Sequence, residues 1–316
     1  MKKLLMTLAA LFAFCIPGLS QYKFVDLFTP PNGSNPIPVS INNSGKILAT
    51  YSNSRGQRKL IFAGVNGFTN INIPLDTSTT SLYPNGFNAG GDLYGEAIRR
   101  LGPHSTVDEG FIICHTDPIR YFKVPNAART VITGINDKHE VLGFYVDPEA
   151  TPISPGPGVP PIDVFRSHGF KSVIQNSGFF PATQYFDVAN ETYPTGINNN
   201  GDITGWWRGL QLSDDVVDGF GFLISKGQTS VVEVDRWHLY PSKINIHGVM
   251  VGFAIKEEND HYGFILENGV LTIVNYPGFL PRTVLSDIND SGAIVGSWNP
   301  ELDLVNESHG FILTKQ

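Results

Sequence analysis

Residues 288–296 read Ile288-Asn289-Asp290-Ser291-Gly292-Ala293-Ile294-Val295-Gly296. The chain states this stretch six times. The other copies begin at Ile41 (INNSGKILA), Phe87 (FNAGGDLYG), Ile135 (INDKHEVLG), Ile197 (INNNGDITG) and Ile244 (INIHGVMVG). Successive starts lie 46, 48, 62, 47 and 44 residues apart. Self-similarity at such a period marks a propeller, a solenoid or an array.

Working outward from the last copy gives the unit. Residues 283–289 (TVLSDIN) are β-branched and small, and suit an extended strand. Asn289-Asp290-Ser291-Gly292 supplies a tight turn, with Asn and Asp to bond the local backbone and Gly for a positive φ. AIVGSW is a second strand and SHGFILT a third. The preceding copy adds the fourth: GFIL, the hairpin Glu267-Asn268-Gly269, then VLTIV and a Pro-Gly stop. An Asn-Gly pair between apolar runs is a strong hairpin signal. Four antiparallel strands, a to d, in about 40–50 residues match a propeller blade better than a solenoid repeat.

The chain ends complete the count. Residues 22–29 (YKFVDLFT) read as a lone strand resembling strand d of the other units, whereas the last unit has a, b and c and then stops. The expectation is an all-β, six-bladed β-propeller of four-stranded antiparallel blades, closed by the N-terminal strand completing the last blade. Closure removes the open strand edges that invite aggregation. The blades fall at residues 37–74, 82–125, 130–188, 192–235, 239–277 and 283–314, within one domain spanning 21–316. Blade three carries a Pro-rich insertion at 147–166, expected to be polyproline-like or loosely ordered. It reads first as a tolerated surface loop and second as a lid or docking loop.

Residues 1–20 have the form of a secretory signal: Lys2 and Lys3, an apolar run from Leu4 to Ile16, and small residues before Gln21. That run is too short to anchor in a bilayer, and bulky Phe14 before Cys15 argues against lipidation. The predicted location is secreted, periplasmic or cell-surface. Cys114 would be the one cysteine left, which excludes an internal disulfide. The net charge of −7 becomes two units more negative without Lys2 and Lys3, which argues against nucleic-acid and anionic-membrane partners.

The element I-N-x-x-G-x-I-x-G followed by H-G-F resembles the HAF repeats of extracellular bacterial proteins. It stands here as Ile288 to Gly296 with His309-Gly310-Phe311, and as Ile135 to Gly143 with His168-Gly169-Phe170. Departures are Ala49 for the last Gly, His139 for the turn Gly and Ile61 for the Gly before Phe62. The resemblance covers nearly all of the mature chain. It implies export and a propeller-like repeat, and it carries over no reaction and no catalytic residues.

Residues present in every unit read as structural. These are the turn asparagines Asn42, Asn88, Asn136, Asn198, Asn245 and Asn289, and the phenylalanines Phe62, Phe111, Phe170, Phe222, Phe264 and Phe311. His168 and His309 occupy a slot that elsewhere holds Leu60, Glu109, Phe220 and Tyr262, so they are not metal ligands. Asp214, Asp215 and Asp218 lack an EF-hand pattern, and no cofactor or metal is expected. The b–c and d–a loops are longer and more variable, and share one face, which is the candidate binding face. Two positions there differ between units. Four aromatic residues, among them Tyr145, Trp207 and Trp298, end strand b. They could stack on sugar rings or pack between blades. The residues opening strand a include Arg129, Glu191, His238 and Arg282, which could grip a polar, partly anionic ligand or reflect loop drift.

The favoured function is an exported propeller binding a glycan or protein ligand through this face. The alternatives are a carbohydrate-active lyase or hydrolase, with Glu191 and His238 as the nominated acid–base pair, and a purely structural surface protein. One register expectation concerns the residue before the motif Ile or Phe: Ser40, Gly86, Gly134, Gly196, Lys243 and Asp287. Its two charged members, Lys243 and Asp287, are expected to form an ion pair at the channel wall.

Overall fold

The computed structural model describes residues 22–114, 117–149, 151–153, 162–174, 183–209, 219–234, 237–256, 260–278, 282–300 and 308–316. The signal-like segment, the calcium candidates Asp214, Asp215 and Asp218, and the middle of the insertion lie outside them. Every named element is a strand.

Strand β1 (Tyr22–Asp26) is set apart from the strands that follow it in sequence. The first repeat unit is β2 (Ile37–Ile41), β3 (Ile47–Ser52), β4 (Arg58–Ala63) and β5 (Phe68–Ile71), paired in that order. The second is β6 (Thr79–Phe87), β7 (Leu93–Gly102), β8 (Ser105–Ile113) and β9 (Arg120–Phe122). In the third, β10 (Arg129–Ile135) and β11 (Glu140–Val146) are followed by a hairpin, β12 (Thr151–Ile153) and β13 (Ile162–Val164). Then come β14 (Ser167–Val173) and β15 (Gln184–Phe186). The fourth unit is β16 (Glu191–Ile197), β17 (Ile203–Arg208), β18 (Gly219–Ser225) and β19 (Gln228–Val232). The fifth is β20 (His238–Ile244), β21 (Met250–Ile255), β22 (His261–Glu267) and β23 (Val270–Val274). The sixth has β24 (Thr283–Ile288), β25 (Ile294–Trp298) and β26 (His309–Lys315), and its outer strand is β1. That pairing runs Tyr22 opposite Lys315, Phe24 opposite Leu313 and Asp26 opposite Phe311.

The result is an all-β, propeller-like assembly of antiparallel sheets. Its six innermost strands touch in the cyclic order β2, β6, β10, β16, β20, β24 and back to β2. The insertion differs from its sequence expectation: its ends pair as strands, with Thr151 opposite Val164 and Ile153 opposite Ile162.

Three local devices build this arrangement. The first is a belt of turn asparagines. In the turn, Asn136 Oδ1 accepts the amides of Lys138 and Glu140, closing its own turn. Its Nδ2 donates to the Asn198 carbonyl of the next unit at 2.9 Å. Asn198 does the same to Asn245, Asn245 to Asn289, and Asn289 to Asn42 at 3.1 Å. The last bond joins the sixth unit to the first. In these four units one side chain thus satisfies both a turn and a neighbour, whereas Asn88 Nδ2 donates to Asp92 of its own turn and Asn42 Oδ1 closes its own. The shared role in every unit is the turn.

The second device is the glycine that ends five of the six motif copies. A Cβ on Gly143 would strike the Val131 carbonyl and the Phe170 ring, and Gly205, Gly252 and Gly296 meet equivalent atoms. Only glycine allows strands a and b so close with a phenylalanine against them. In the first unit Ala49 stands there, and its cross-strand partner is Ile61. Gly143, Gly205 and Gly296 have Phe170, Phe222 and Phe311 as their partners. Ile61 therefore fills the phenylalanine slot, fully buried, and the sequence alignment that put Phe62 there is corrected. The smaller side chain makes room for the alanine methyl. Phe62 is half-buried beneath the Lys46 ammonium, 3.5 Å from its ring centre.

The third device is a β-bulge in every inner strand, at the same place. Pairing skips one residue between Pro38 and Ser40, Pro84 and Gly86, Ile132 and Gly134, Pro194 and Gly196, Pro241 and Lys243, and Leu285 and Asp287. A bulge bends the strand and shifts the pairing by one residue. Here it also frees Val39, Asn85, Thr133, Thr195, Ser242 and Ser286 from the ladder, one per unit.

Candidate functional site

These six freed residues all line one cavity, a funnel of about 400 Å³ among the inner strands. Three of them staple units together. Asn85 Nδ2 donates to the Ile132 carbonyl, and the hydroxyls of Thr133 and Thr195 donate to the carbonyls of Pro194 and Pro241. Those acceptors sit just before the next unit's bulge.

Lys243 belongs to the lining of this funnel and also to that of a smaller polar pocket among the motif turns. Its Nζ donates to the carbonyls of Thr133 at 2.6 Å and Thr195 at 2.9 Å, and approaches Tyr94 Oη at 3.4 Å. Asp287 lines only the turn-side pocket. Its carboxylate accepts from Ser40 Oγ at 2.6 Å and from the amides of Ile41 and Ile288. The expected Lys243–Asp287 ion pair is thus replaced by two separate networks. Gly196 leaves room for the lysine backbone and stem, and the ammonium reaches across to units three and four. A Cβ on Gly196 would lie 2.9 Å from Lys243 Cα. Burial pushes the Lys243 pKa down and the Asp287 pKa up, and the attraction between the two charges offsets part of each shift.

The funnel wall combines aromatic and polar groups. Units three to five supply aromatic residues: Phe144, Trp206, Tyr240 and Phe253 line it. They form a continuous arc. Phe144 meets Tyr193 edge-on at 5.3 Å, Trp206 stacks on Tyr193 at 4.1 Å and meets Tyr240 edge-on at 5.5 Å, and Tyr240 stacks on Phe253 at 4.7 Å. The rest of the lining mixes apolar Val39 and Val131 with polar Asn85, Ser242 and Ser286, and includes an ion pair between units two and three. In that pair Arg129 Nε and Nη2 lie 2.5 and 2.7 Å from the two oxygens of Glu96. The fork holds the Arg129 pKa above its usual value. The Arg129 guanidinium also lies over the Phe144 ring, 5.9 Å from its centre.

Of the residues singled out from sequence, Arg129 is in this lining. Glu191 opens β16, where it pairs in parallel with Ser167, and its carboxylate takes the Tyr193 hydroxyl at 2.8 Å. Arg208 is 3.9 Å away from it. Arg282 forms a parallel bridge to His261, and the His238 ring meets Phe220 edge-on at 6.2 Å. These positions start the inner strands against the neighbouring unit and do not line the funnel.

Tyr145, Trp207 and Trp298 lie on the other face of their sheets. They pair with Thr130, Thr192 and Thr283, all fully buried. Trp298 is 8% exposed, with Tyr276 and His309 each stacked on it at 4.5 Å. Trp207 stacks on Phe220 at 4.8 Å and Tyr145 on His168 at 5.0 Å. The funnel instead takes the residue one position earlier in strand b: Glu96, Phe144, Trp206 and Phe253. Their variation between units was visible in the sequence. Their direction was not.

His168 is held between two carboxylates, with Nδ1 2.8 Å from Asp187 and Nε2 3.2 Å from Asp147. Among the described residues no group of three or more His, Cys, Asp or Glu is arranged to hold a metal ion.

No family model and no curated protein matches the chain. Among solved structures it is similar to a gluconolactonase from Xanthomonas campestris, at 11% identity and a TM-score of 0.46, covering 97% of this chain and 94% of that one. It is also similar to puromycin hydrolase, at 11% identity and a TM-score of 0.45, covering 87% of this chain. A puromycin-hydrolysing peptidase from Mycobacterium tuberculosis matches at 10% identity and a TM-score of 0.39. The chain spans about half the length of these two hydrolases, 50% and 54%.

Proposed function

We propose that this chain is an exported six-bladed β-propeller of the HAF-repeat kind that binds a glycan in the funnel among its inner strands. The bond from Asn289 to the Asn42 carbonyl and the pairing of β1 with β26 support a ring closed between its last and first units. The observation that carries the binding reading is the mixed wall: an arc of aromatic residues set among hydroxyl, amide and charged groups in one cavity. Sugar rings have apolar C–H faces and hydroxyl edges, and this wall offers a partner for each. The volume falls in the range of about 300–1,000 Å³ usual for small-ligand sites.

A glycan array probed with the mature protein tests this directly. Binding should be lost in Trp206→Ala and kept in Trp207→Ala. Loss in Trp207→Ala with retention in Trp206→Ala would place the ligand elsewhere. Absence of any glycan binding, with capture of a protein partner instead, would replace the ligand class. The enzymatic alternative rests on Glu191 and His238. Glu191 is already engaged by Tyr193 and Arg208, and neither nominated residue is in the funnel lining.

A further inference from the structure

We infer that the funnel's ligand carries a carboxylate beside a sugar ring, as uronic-acid saccharides do, and that Arg129 receives it. This rests on the glycan reading above and refines it. A guanidinium has five N–H donors. The fork to Glu96 uses Nε and one hydrogen of Nη2, which leaves Nη1 and the outer hydrogen of Nη2. The Arg129 side chain is 45% exposed, whereas that of Glu96 is 11% exposed. Glu96 is therefore the positioning residue, packed against the wall and fixing the guanidinium plane. The free edge of that plane presents the parallel donors that a second carboxylate needs.

The charges around the cavity agree. Its lining holds one carboxylate, Glu96, and two cations, Arg129 and Lys243. Asp287, the counter-charge to Lys243, lies outside this lining. The lining thus has one positive charge in excess in a chain of net charge −7, with Asp108 acting on Arg129 from outside it. That excess favours an anion over a neutral ligand. Phe144 under the guanidinium, with Trp206 next along the arc, sets an apolar ring beside the carboxylate position.

The test is calorimetric titration of the full chain with trisaccharides of galacturonate and of glucuronate, each compared with its methyl ester. The ester keeps the ring and removes the charge. The acids should bind at least about tenfold more tightly than the esters, with a preference that shrinks as salt rises. In the double variant Arg129→Gln/Glu96→Gln, which keeps two amides that can bond each other, the acid preference should vanish while ester binding persists. Trp206→Ala should abolish binding of both. Equal or tighter ester binding would overturn the carboxylate inference and leave the glycan reading standing. So would binding of neutral trisaccharides alone. If no saccharide binds, both readings fall. An acid preference that survives in the double variant would move the carboxylate away from Arg129 and overturn the assignment.

Discussion

The Lys243 ammonium lies 2.6 Å from the carbonyl oxygen of Thr133, two units away around the axis. One side chain from the fifth unit thus ties down the backbone of the third and, through Thr195, the fourth. Replacing it with Met keeps much of the stem and removes the donors. Two carbonyls beside the axis then lose their partner, and each such loss costs about 1–3 kcal/mol. Lys243→Met should lower stability by at least that much in urea denaturation. Equal stability would show that these carbonyls are satisfied without the lysine.

The pairing of Ala49 with Ile61 makes a second test. Ile61→Phe restores the side chain used in the other units but leaves the alanine methyl in its way. The single variant should lose about 1–3 kcal/mol through overpacking. Ala49→Gly/Ile61→Phe should recover most of that loss, since it reproduces the Gly143–Phe170 arrangement. A thermal or chemical melt of the four proteins gives the coupling energy, and simple additivity would count against shared space.

Trp298 and Trp206 should part company on mutation. Trp298 is enclosed by Tyr276 and His309, so Trp298→Ala should cost about 3–5 kcal/mol of stability. Trp206→Ala opens the funnel wall and should show chiefly as lost ligand binding. Differential scanning calorimetry beside a binding assay separates the two. Similar melting losses in both variants would show that Trp206 is equally structural.

Burial alone would pull the His168 pKa down, but hydrogen bonds and charge from Asp147 and Asp187 outweigh it and hold it above its ordinary value. The folded protein therefore binds this proton more tightly than the unfolded chain does. Its contribution is complete below the unfolded value, about pH 6.5, and is lost as pH rises through the folded pKa. A neutral imidazole has one N–H and can serve only one of its two carboxylates. His168→Gln should flatten this part of the stability profile, measured by urea midpoints across the neutral range. An unchanged slope would place the proton elsewhere.

Removing β1 should expose the edge of β26. Phe24 also packs its ring edge against Phe311 at 5.1 Å and against Tyr276 at 5.1 Å. A chain beginning at residue 28 should melt at lower temperature and lose hydrogen-exchange protection first along residues 309–315. Protection lost evenly across all units would mean that β1 is not specific to the sixth.

The strand pattern, the turn chemistry and the repeat are legible in the residues alone. The Oδ1 bonds of Asn136 and its successors lie within one turn, and Gly143 with Phe170 act between paired strands, so these signals are local and recur. Also legible there is that β1 has no partner near it in sequence and that the sixth unit lacks a strand. What only the tertiary structure decided was direction at the axis. A regular pairing extended from the motif turn would set Tyr145 opposite Val131, on the funnel side. The bulge between Ile132 and Gly134 slides the pairing by one residue, so Phe144 stands opposite Val131 and Tyr145 opposite Thr130. A strand alternates faces with a period of two, so this single slip exchanges the residues on the two sides. It brings Trp206 to the funnel wall and packs Trp207 against Phe220 on the other face. The bulge does leave a partial mark, since Pro38, Pro84, Pro194 and Pro241 stand just before it and a strand tolerates proline chiefly at edges and bulges. Ile132 and Leu285 hold that place in the other two units, and the bulged residues themselves share no type. The bulge arises where six inner strands crowd one axis, and that crowding, like the reach of Lys243 to Thr133, exists only once the units are assembled.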